Sequence, residues 1–362
     1  MIRGGAAAAA LALLAGAAGC CTCAAPPTFT VRHGAARAPA PFPAMTPAVR
    51  ALHLGDFGDS TCQQAAVADA IALAHRRAPF DLGLAAGDLV YDCGPDPGLP
   101  GASACAFAAD GNTVAPGFAP PVDPSFGVHD GPLAALGTTP VYVALGNHDV
   151  AVGGSCGPPD EAVARRKACL NVAHAAPQWV MPGRHYAVDR GPARFIVVDS
   201  NLVSRDYGGF TLDDEVAFVA AQSAGCADRT CFLVGHHPPA TAGEHRDDAD
   251  ATYLARMQRL LDAGGGRVRA WLAGHDHDLQ HLRTPGGLDV LVSGSGSRGR
   301  WRETFDATSA GAALVFASVR WGFGVLEVAP GAWRYRFEDE RGEPLYCCAA
   351  AGAGPCEPTT CP

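Results

Sequence analysis

The chain has 362 residues and a formal net charge of −9, with 48% hydrophobic and 17% charged residues. This apolar fraction excludes a wholly disordered chain, and the length is sufficient to bury a large core. Because 36 acidic residues outnumber 27 basic ones, the charge balance argues against a nucleic-acid-binding protein.

The N-terminus has the pattern of an export signal. Met1-Ile2-Arg3 gives a short positive start, and an apolar run of Ala and Leu follows it. We therefore predict a signal peptide over residues 1–20 and an Ala/Pro-rich flexible linker over residues 21–47. The small residues before Cys20 also resemble a bacterial lipobox, so lipidation of Cys20, with membrane attachment through it, is one alternative. The expected location is periplasmic, lipid-anchored at the outer surface, or secreted.

The 14 cysteines fit an exported protein, because disulfides persist in oxidising compartments. Closeness along the chain suggests three pairs: Cys93–Cys105, Cys156–Cys169 and Cys226–Cys231. Spacing alone does not determine connectivity, and four further cysteines crowd a predicted C-terminal tail over residues 347–362. A zinc finger is not indicated, because no CxxC has a second CxxC at suitable spacing.

From residue 49 onward, short apolar runs alternate with helical patterns. Strands are predicted at 49–54, 80–86, 140–145, 194–198, 231–234, 268–273, 288–292, 313–317, 322–328 and 333–337. Helices are predicted at 63–78, 212–221 and 253–261. The Pro- and Gly-rich stretch 93–124 is predicted to be a long surface insertion. This β-α-β beginning and strand-rich end predict one α/β domain over residues 48–346.

Side chains that can bind metals follow five of the predicted strands. They are Asp56, Asp88, Asn147, His236, and the pair His275 and His277. Loops at the carboxyl ends of strands converge in α/β sheets, so we expect these side chains to meet. A mixed oxygen and nitrogen set suits Fe, Mn or Zn, and its size exceeds the four ligands of one tetrahedral ion. The set therefore predicts two ions sharing a carboxylate, an arrangement that suits phosphoryl transfer.

In this order the motifs resemble those of the metallophosphoesterase superfamily, and within it the purple acid phosphatases of the small tartrate-resistant type. The family pattern is present as Gly55-Asp56-Phe57-Gly58, Gly87-Asp88-Leu89-Val90-Tyr91, Gly146-Asn147-His148-Asp149, Gly235-His236 and Gly274-His275-Asp276-His277. The resemblance spans about residues 49–346. Gly58 stands where most of the superfamily has a His, and Tyr91 stands where the purple enzymes supply a phenolate.

The resemblance implies a four-layer α/β/β/α sandwich, with two mixed sheets flanked by helices, and a binuclear metal centre. One ion would be Fe(III) at the Tyr91 site, and the second Fe(II), Zn or Mn. This division agrees with the preference of a trivalent ion for hard anionic donors and of a divalent ion for neutral ones. Seven residues would ligate: Asp56, Tyr91 and His277 on one ion, Asn147, His236 and His275 on the other, and Asp88 between them.

Three further residues are implied near the reacting phosphate. His148 is the family's candidate for orienting phosphate and protonating the leaving group, and Asp149 would hold its imidazole protonated. His245 matches a His of the tartrate-resistant enzymes that would contact the phosphate or leaving group. His237 stands where the family commonly has an aromatic residue, and Arg298 in a Gly/Ser-rich loop is a further candidate for substrate contact.

We therefore predict an exported phosphatase that hydrolyses phosphate monoesters by attack of metal-bound hydroxide. Its substrates would be small phosphate esters or phosphoproteins, with no nucleic acid and no obligate protein partner. One alternative is a phosphodiesterase or nucleotidase on the same metal centre. Another is a non-catalytic surface binding protein that retains the fold.

Overall fold

The structure is a computed structural model that describes residues 31–34, 39–151, 156, 160–300 and 305–362. The predicted signal peptide, with Cys20, lies outside these residues. Within the described part of the chain the strands, in chain order, are β1 (Val31–His33), β2 (Val49–Leu54), β3 (Leu82–Ala85), β4 (Val141–Val143), β5 (Trp179–Val180), β6 (Tyr186–Arg190), β7 (Ala193–Val197), β8 (Thr230–Val234), β9 (Val268–Ala273), β10 (Leu279–Arg283), β11 (Asp289–Ser293), β12 (Ala313–Ser318), β13 (Gly322–Ala329), β14 (Ala332–Asp339), β15 (Pro344–Ala351) and β16 (Glu357–Thr359).

The structure describes five α-helices, and four of them begin where a side chain can cap a free amide of the first turn. They are α1 (Cys62–Arg77), α2 (Gly127–Asp130), α3 (Glu161–Ala173), α4 (Leu212–Ser223) and α5 (Ala251–Ala263). Thr61, Asp160, Thr211 and Asp250 accept a hydrogen bond from a backbone amide in the first turn of α1, α3, α4 and α5. Of the helices in the described ranges, none has the length and apolarity that crossing a bilayer requires.

The strands form two mixed sheets of eight strands each. One has the order β1-β12-β10-β11-β9-β8-β7-β6, and the other β16-β15-β14-β13-β2-β3-β4-β5. The parallel parts are β7-β8-β9-β11 in the first sheet and β2-β3-β4-β5 in the second, and the remaining pairs are antiparallel.

The two sheets pack face to face around aromatic side chains. The ring centroid of Phe232 on β8 lies 5.5 Å from that of Trp333 on β14, and Phe316 on β12 lies 5.8 Å from Phe337. Every residue of β2 and β13 is buried, as expected of strands covered on both faces. Helix α1 packs against β13, and α4 packs against β7 and α5. The predicted four-layer sandwich, with two mixed sheets flanked by helices, is confirmed.

Both ends of the described chain belong to the sheets, which differs from the predicted linker and tail. Strand β1 lies within the predicted linker and pairs with β12. Strands β15 and β16 lie mostly within the predicted tail and extend the second sheet. The residues of β15 and β16 are mainly Ala, Pro and Cys, which carry little strand signal, and β1 pairs with a strand near the other end of the chain.

The disulfides are interleaved rather than local. Cys226–Cys231 forms as expected, but the expected pairs Cys93–Cys105 and Cys156–Cys169 are wrong. Instead, two disulfides each close loops of more than 60 residues and attach the long insertion to the chain after β4: Cys93–Cys156 and Cys105–Cys169. The C-terminal cysteines pair as Cys347–Cys361 and Cys348–Cys356.

Candidate metal centre

The parallel strands of both sheets end on the same side of the sandwich, where the predicted ligands follow them. Asp56 and Asp88 come after β2 and β3, whereas His236 and His275 come after β8 and β9. The two sheets are joined at this point, because the backbone amide of His275 donates to Asp56 Oδ2 at 2.7 Å. Residues from sequence positions more than 200 apart are thereby brought into one crevice.

Asp56, Tyr91 and His277 form one group of donor atoms. The Tyr91 hydroxyl lies 2.8 Å from Asp56 Oδ1 and 3.2 Å from His277 Nε2. Burial, together with the nearby Asp56 and Asp88 carboxylates, raises the pKa of Tyr91 well above its ordinary value. A phenolate at this position therefore requires a cation beside it.

Asn147, His236 and His275 form the second group. Asn147 Oδ1 lies 2.9 Å from His236 Nε2 and 3.2 Å from His275 Nδ1, and the two ring nitrogens lie 3.1 Å apart. His236 Nδ1 lies 2.8 Å from the Ala86 carbonyl, to which it can only donate a proton. Its Nε2 atom is then left as the lone-pair donor of this group.

Asp88 lies between the two groups. Its Oδ2 atom is 3.4 Å from His236 Nε2, and its Oδ1 atom accepts a hydrogen bond from the His148 amide at 2.9 Å. Burial by itself would raise the pKa of Asp88, but His236 and His148 lower that pKa below its usual range. Donor atoms of Asp56, Asp88 and His236 all lie within 4.8 Å of one another. All seven predicted ligands are thus in one place.

Three of these residues have a backbone conformation that side chains other than glycine rarely adopt. The φ angle is 54° at Asp56, 54° at Asp88 and 75° at His275. A positive φ at a residue with a Cβ costs of order 1–3 kcal/mol and persists where the surroundings impose it. Strain of this kind gathers at functional sites, and the sequence motifs do not reveal it.

The donor set fits cations. Asp56 and Asp88 are almost fully buried, yet within the described residues their ion pairs are only with His277 and His236. Buried carboxylates without a permanent cation are costly, and a multivalent ion would compensate for them. Oxygen donors dominate around Asp56 and nitrogen donors around His236, as expected for one hard and one borderline ion.

Asp149 does not hold the imidazole of His148, which corrects our expectation for this residue. Its carboxylate accepts hydrogen bonds of 2.8–3.0 Å from four backbone amides, those of Asp88, Leu89, Val90 and Gly146. The partner of His148 Nδ1 is the Asp92 carbonyl. Asp149 therefore shapes the loop that carries Asp88, a role that depends on long-range backbone contacts and has no sequence signal.

His245 lies beside the second group, stacked on the ring of His275 with centroids 4.0 Å apart. Its Nδ1 is 2.6 Å from Asp248, and its Nε2 is 3.0 Å from the Arg300 guanidinium. It lines a cavity of about 290 Å³ together with Asn147, Ser204, His237, Pro238, Thr241, Asp248, Ala249, Tyr253, His275 and Ser309. This cavity opens next to the candidate metal centre.

Arg298 contacts the first group rather than an open surface. Its guanidinium lies 3.8 Å from the centroid of the Tyr91 ring and pairs with Asp59 at 3.0 Å and with Asp92. The side chain was a candidate for substrate contact, but its neighbours are the phenol and the two carboxylates around it. No local motif indicates this contact, because Arg298 and Tyr91 are far apart in sequence.

Comparisons with known proteins agree with this architecture. Residues 49–279 match the model of the calcineurin-like phosphoesterase family. Tartrate-resistant acid phosphatase type 5 of Rattus norvegicus is 26% identical over 188 residues, which cover 45% of this chain and 50% of the relative. Glycerophosphodiester phosphodiesterase GpdQ of Enterobacter lignolyticus is 32% identical over 95 residues, which cover 26% and 34%. The matches span half or less of these relatives.

Two solved structures share the fold. GAP50, the anchor in the inner membrane complex of Plasmodium, has a TM-score of 0.61 at 18% identity, covering 84% of this chain and 88% of that one. Purple acid phosphatase PPD1 from yellow lupin (Lupinus luteus) seeds has a TM-score of 0.57 at 14% identity, covering 88% and 58%. Because the family model matches well over half of its residues, the chain belongs to the calcineurin-like phosphoesterase family, and acid phosphatases are among its homologues.

Proposed function

We propose that the chain is a phosphatase for phosphate monoesters that works with two metal ions. The observation that carries the proposal is the contact of Tyr91 with Asp56 and His277. Seven residues would hold the ions: Asp56, Tyr91 and His277 an Fe(III), Asn147, His236 and His275 an Fe(II), Zn or Mn, and Asp88 both. When bound, the two cations would neutralise phosphate charge and acidify the attacking water.

His148 is proposed to deliver a proton to the leaving oxygen. Its ring centroid lies 4.5 Å from that of Tyr91, which keeps the imidazole at the edge of the candidate centre. An imidazolium whose Nδ1 proton is donated to the Asp92 carbonyl keeps its Nε2 proton for the leaving alcohol. His148 would then act as the general acid, without help from Asp149.

His245 is proposed to form the wall of the leaving-group cavity. Both of its ring nitrogens are engaged, one by Asp248 and one by Arg300, which argues against proton transfer by this residue. The cavity of about 290 Å³ suits a small leaving group, and Asp248 and Tyr253 contribute polar groups to its lining. Small phosphate esters, or a phosphorylated side chain reaching in, are the proposed substrates.

An oxidising compartment is proposed for the enzyme. The five described disulfides support it, because such bonds are typical of exported proteins. Export through residues 1–20, with or without lipidation of Cys20, remains our proposal for how the chain reaches that compartment.

A phosphodiesterase on the same centre is the second candidate. The match to a glycerophosphodiester phosphodiesterase supports it, although that match covers only 26% of this chain. The rates of hydrolysis of p-nitrophenyl phosphate, a monoester, and bis(p-nitrophenyl) phosphate, a diester, distinguish a phosphatase from a phosphodiesterase. We expect kcat/KM to be at least about tenfold higher for the monoester, and a preference for the diester would favour the second candidate.

The mechanism is tested with Asp88→Ala, which removes the proposed shared carboxylate. We expect loss of both ions by elemental analysis and a fall in kcat of at least about 10³-fold. Asp247→Ala is the matched control, because the Asp247 side chain is 81% exposed. An Asp88→Ala protein that keeps its ions and its activity would overturn the proposal.

A further inference from the structure

A second cluster of metal-capable side chains lies outside the centre described above. His129 and Asp130 belong to the short helix α2, and His174 follows the last residue of α3. His129 Nδ1 lies 3.0 Å from Asp130 Oδ1, and His174 Nε2 lies 3.1 Å from Asp130 Oδ2. One donor atom from each residue lies within 4.8 Å of the other two.

Aromatic rings hold both imidazoles in place. His174 is stacked on Phe126 with centroids 3.7 Å apart, and His129 is stacked on Trp179 at 4.7 Å. His129 is 1% exposed, whereas 14% of the His174 side chain and 31% of the Asp130 side chain reach solvent. The cluster is therefore rigid on one side and open on the other, so that an ion and a water ligand can enter.

We propose that His129, Asp130 and His174 bind a single divalent ion of the zinc class. Two imidazoles and one carboxylate are a recurring three-residue donor set for zinc, with a fourth position left for water. Burial lowers the pKa of His129, so its ring is neutral at pH 7, which is the form that binds a metal. The Asp130 carboxylate gives the cluster a negative charge that a divalent cation would more than balance.

The ion would fasten helix α2 to the end of α3 and would act structurally. Helix α2 is also tied to the loop of the candidate metal centre through Gln64. The side-chain Nε2 atom of Gln64 donates to the Val128 carbonyl at 2.7 Å and to the Phe57 carbonyl at 2.5 Å. Phe57 directly follows Asp56, so an ion at α2 would steady the backbone beside that residue.

The test counts zinc equivalents on the full chain after removal of metals with a chelator. Zinc is added back, unbound ions are removed, and the wild type is compared with His174→Ala and Asp130→Asn. We expect each variant to bind one equivalent less than the wild type, whatever the occupancy of the other centre. His33→Ala is the control, because His33 is exposed on β1 and should leave the count unchanged.

Two further measurements distinguish a folding defect from the loss of a metal ligand. Asp130→Asn preserves the shape of the side chain, and its circular dichroism in chelator should equal that of the wild type. Added zinc should raise the melting temperature of Asp88→Ala, but not that of Asp88→Ala with His174→Ala. Equal zinc counts in wild type, His174→Ala and Asp130→Asn would overturn the proposal and leave a hydrogen-bonded triad without an ion.

Discussion

The guanidinium of Arg298 lies over the ring of Tyr91, 3.8 Å from its centroid. Asp59 and Asp92 bind the same guanidinium, so its position is fixed from both sides. A cation over an aromatic face stabilises negative charge on the ring. Among the groups around Tyr91, Arg298 lowers the pKa of the phenol, opposing the larger upward effect of burial and of Asp56.

Removing this cation should destabilise the phenolate form of Tyr91. For Arg298→Ala we expect the binding free energy of the ion at Tyr91 to weaken by about 1 kcal/mol, which is about a fivefold loss of affinity. The visible absorption of the iron form should also shift. Arg298→Lys should recover part of the effect, and Arg341→Ala, whose side chain is 71% exposed, should have none. An unshifted spectrum in Arg298→Ala would contradict this role.

Asp149→Asn should damage the fold and the candidate centre together. An amide group offers one acceptor oxygen in place of two, so at least one of the four backbone amides around Asp149 would face another donor. We expect the free energy of unfolding to fall by about 3 kcal/mol in a denaturant titration. The exposed Asp247→Asn is the control, and equal stability of the two variants would contradict the account.

Gly146→Ala should disturb Asp88 directly. A Cβ at Gly146 would overlap Oδ1 and the backbone nitrogen of Asp88, whereas one at Gly286 would have 3.8 Å to its nearest neighbour, Thr284. We expect Gly146→Ala to lose at least about 100-fold in kcat, because the displaced carboxylate can no longer hold the ions. Gly286→Ala should retain wild-type activity. Full activity in Gly146→Ala would mean that the position of Asp88 is not critical.

The disulfide Cys93–Cys156 should matter for catalysis as well as for stability. Cys93 follows Asp92, whose carbonyl accepts the hydrogen bond from His148 Nδ1. Replacing both cysteines with Ser should lower kcat about tenfold by releasing the proton donor. It should also lower stability by about 2–4 kcal/mol.

The same change at Cys226 and Cys231 is the matched control for that prediction. This disulfide lies at the start of β8, at the opposite end of the strand from His236. Its loss should affect stability but leave kcat unchanged. If both double variants reduced kcat equally, the reduction would reflect a general destabilisation of the fold rather than a displacement of His148.

Ten of the sixteen described strands, and the polar side chains that follow five of them, were predictable because their signals are local. The run of β3 is apolar throughout, and Asp88 after Gly87 marks its end. Helix α3 escaped prediction because its buried face includes Lys167 and Asn171, which break the apolar periodicity. Lys167 is nevertheless satisfied, since its ammonium group donates to the Pro95 carbonyl at 2.6 Å.

The role of Asp149 and the disulfide pairing were not predictable, because both depend on contacts between distant parts of the chain. The partners of Asp149 are four backbone amides on two loops, and no side-chain pattern encodes such a contact. The interleaving of Cys93–Cys156 with Cys105–Cys169 follows from how the insertion folds back beside α3. Residue spacing favours near neighbours and therefore gave the wrong pairs.

The proposed binding of iron by Tyr91, in a centre of two ions, carries the most weight in the proposed function. It is tested most directly by the metal content and visible spectrum of the purified full-length protein, beside Tyr91→Phe. We expect at least two metal ions per chain, iron among them, and a visible absorption band that disappears in Tyr91→Phe. A colourless, iron-free protein after iron-replete expression, or a band unchanged in Tyr91→Phe, would contradict it.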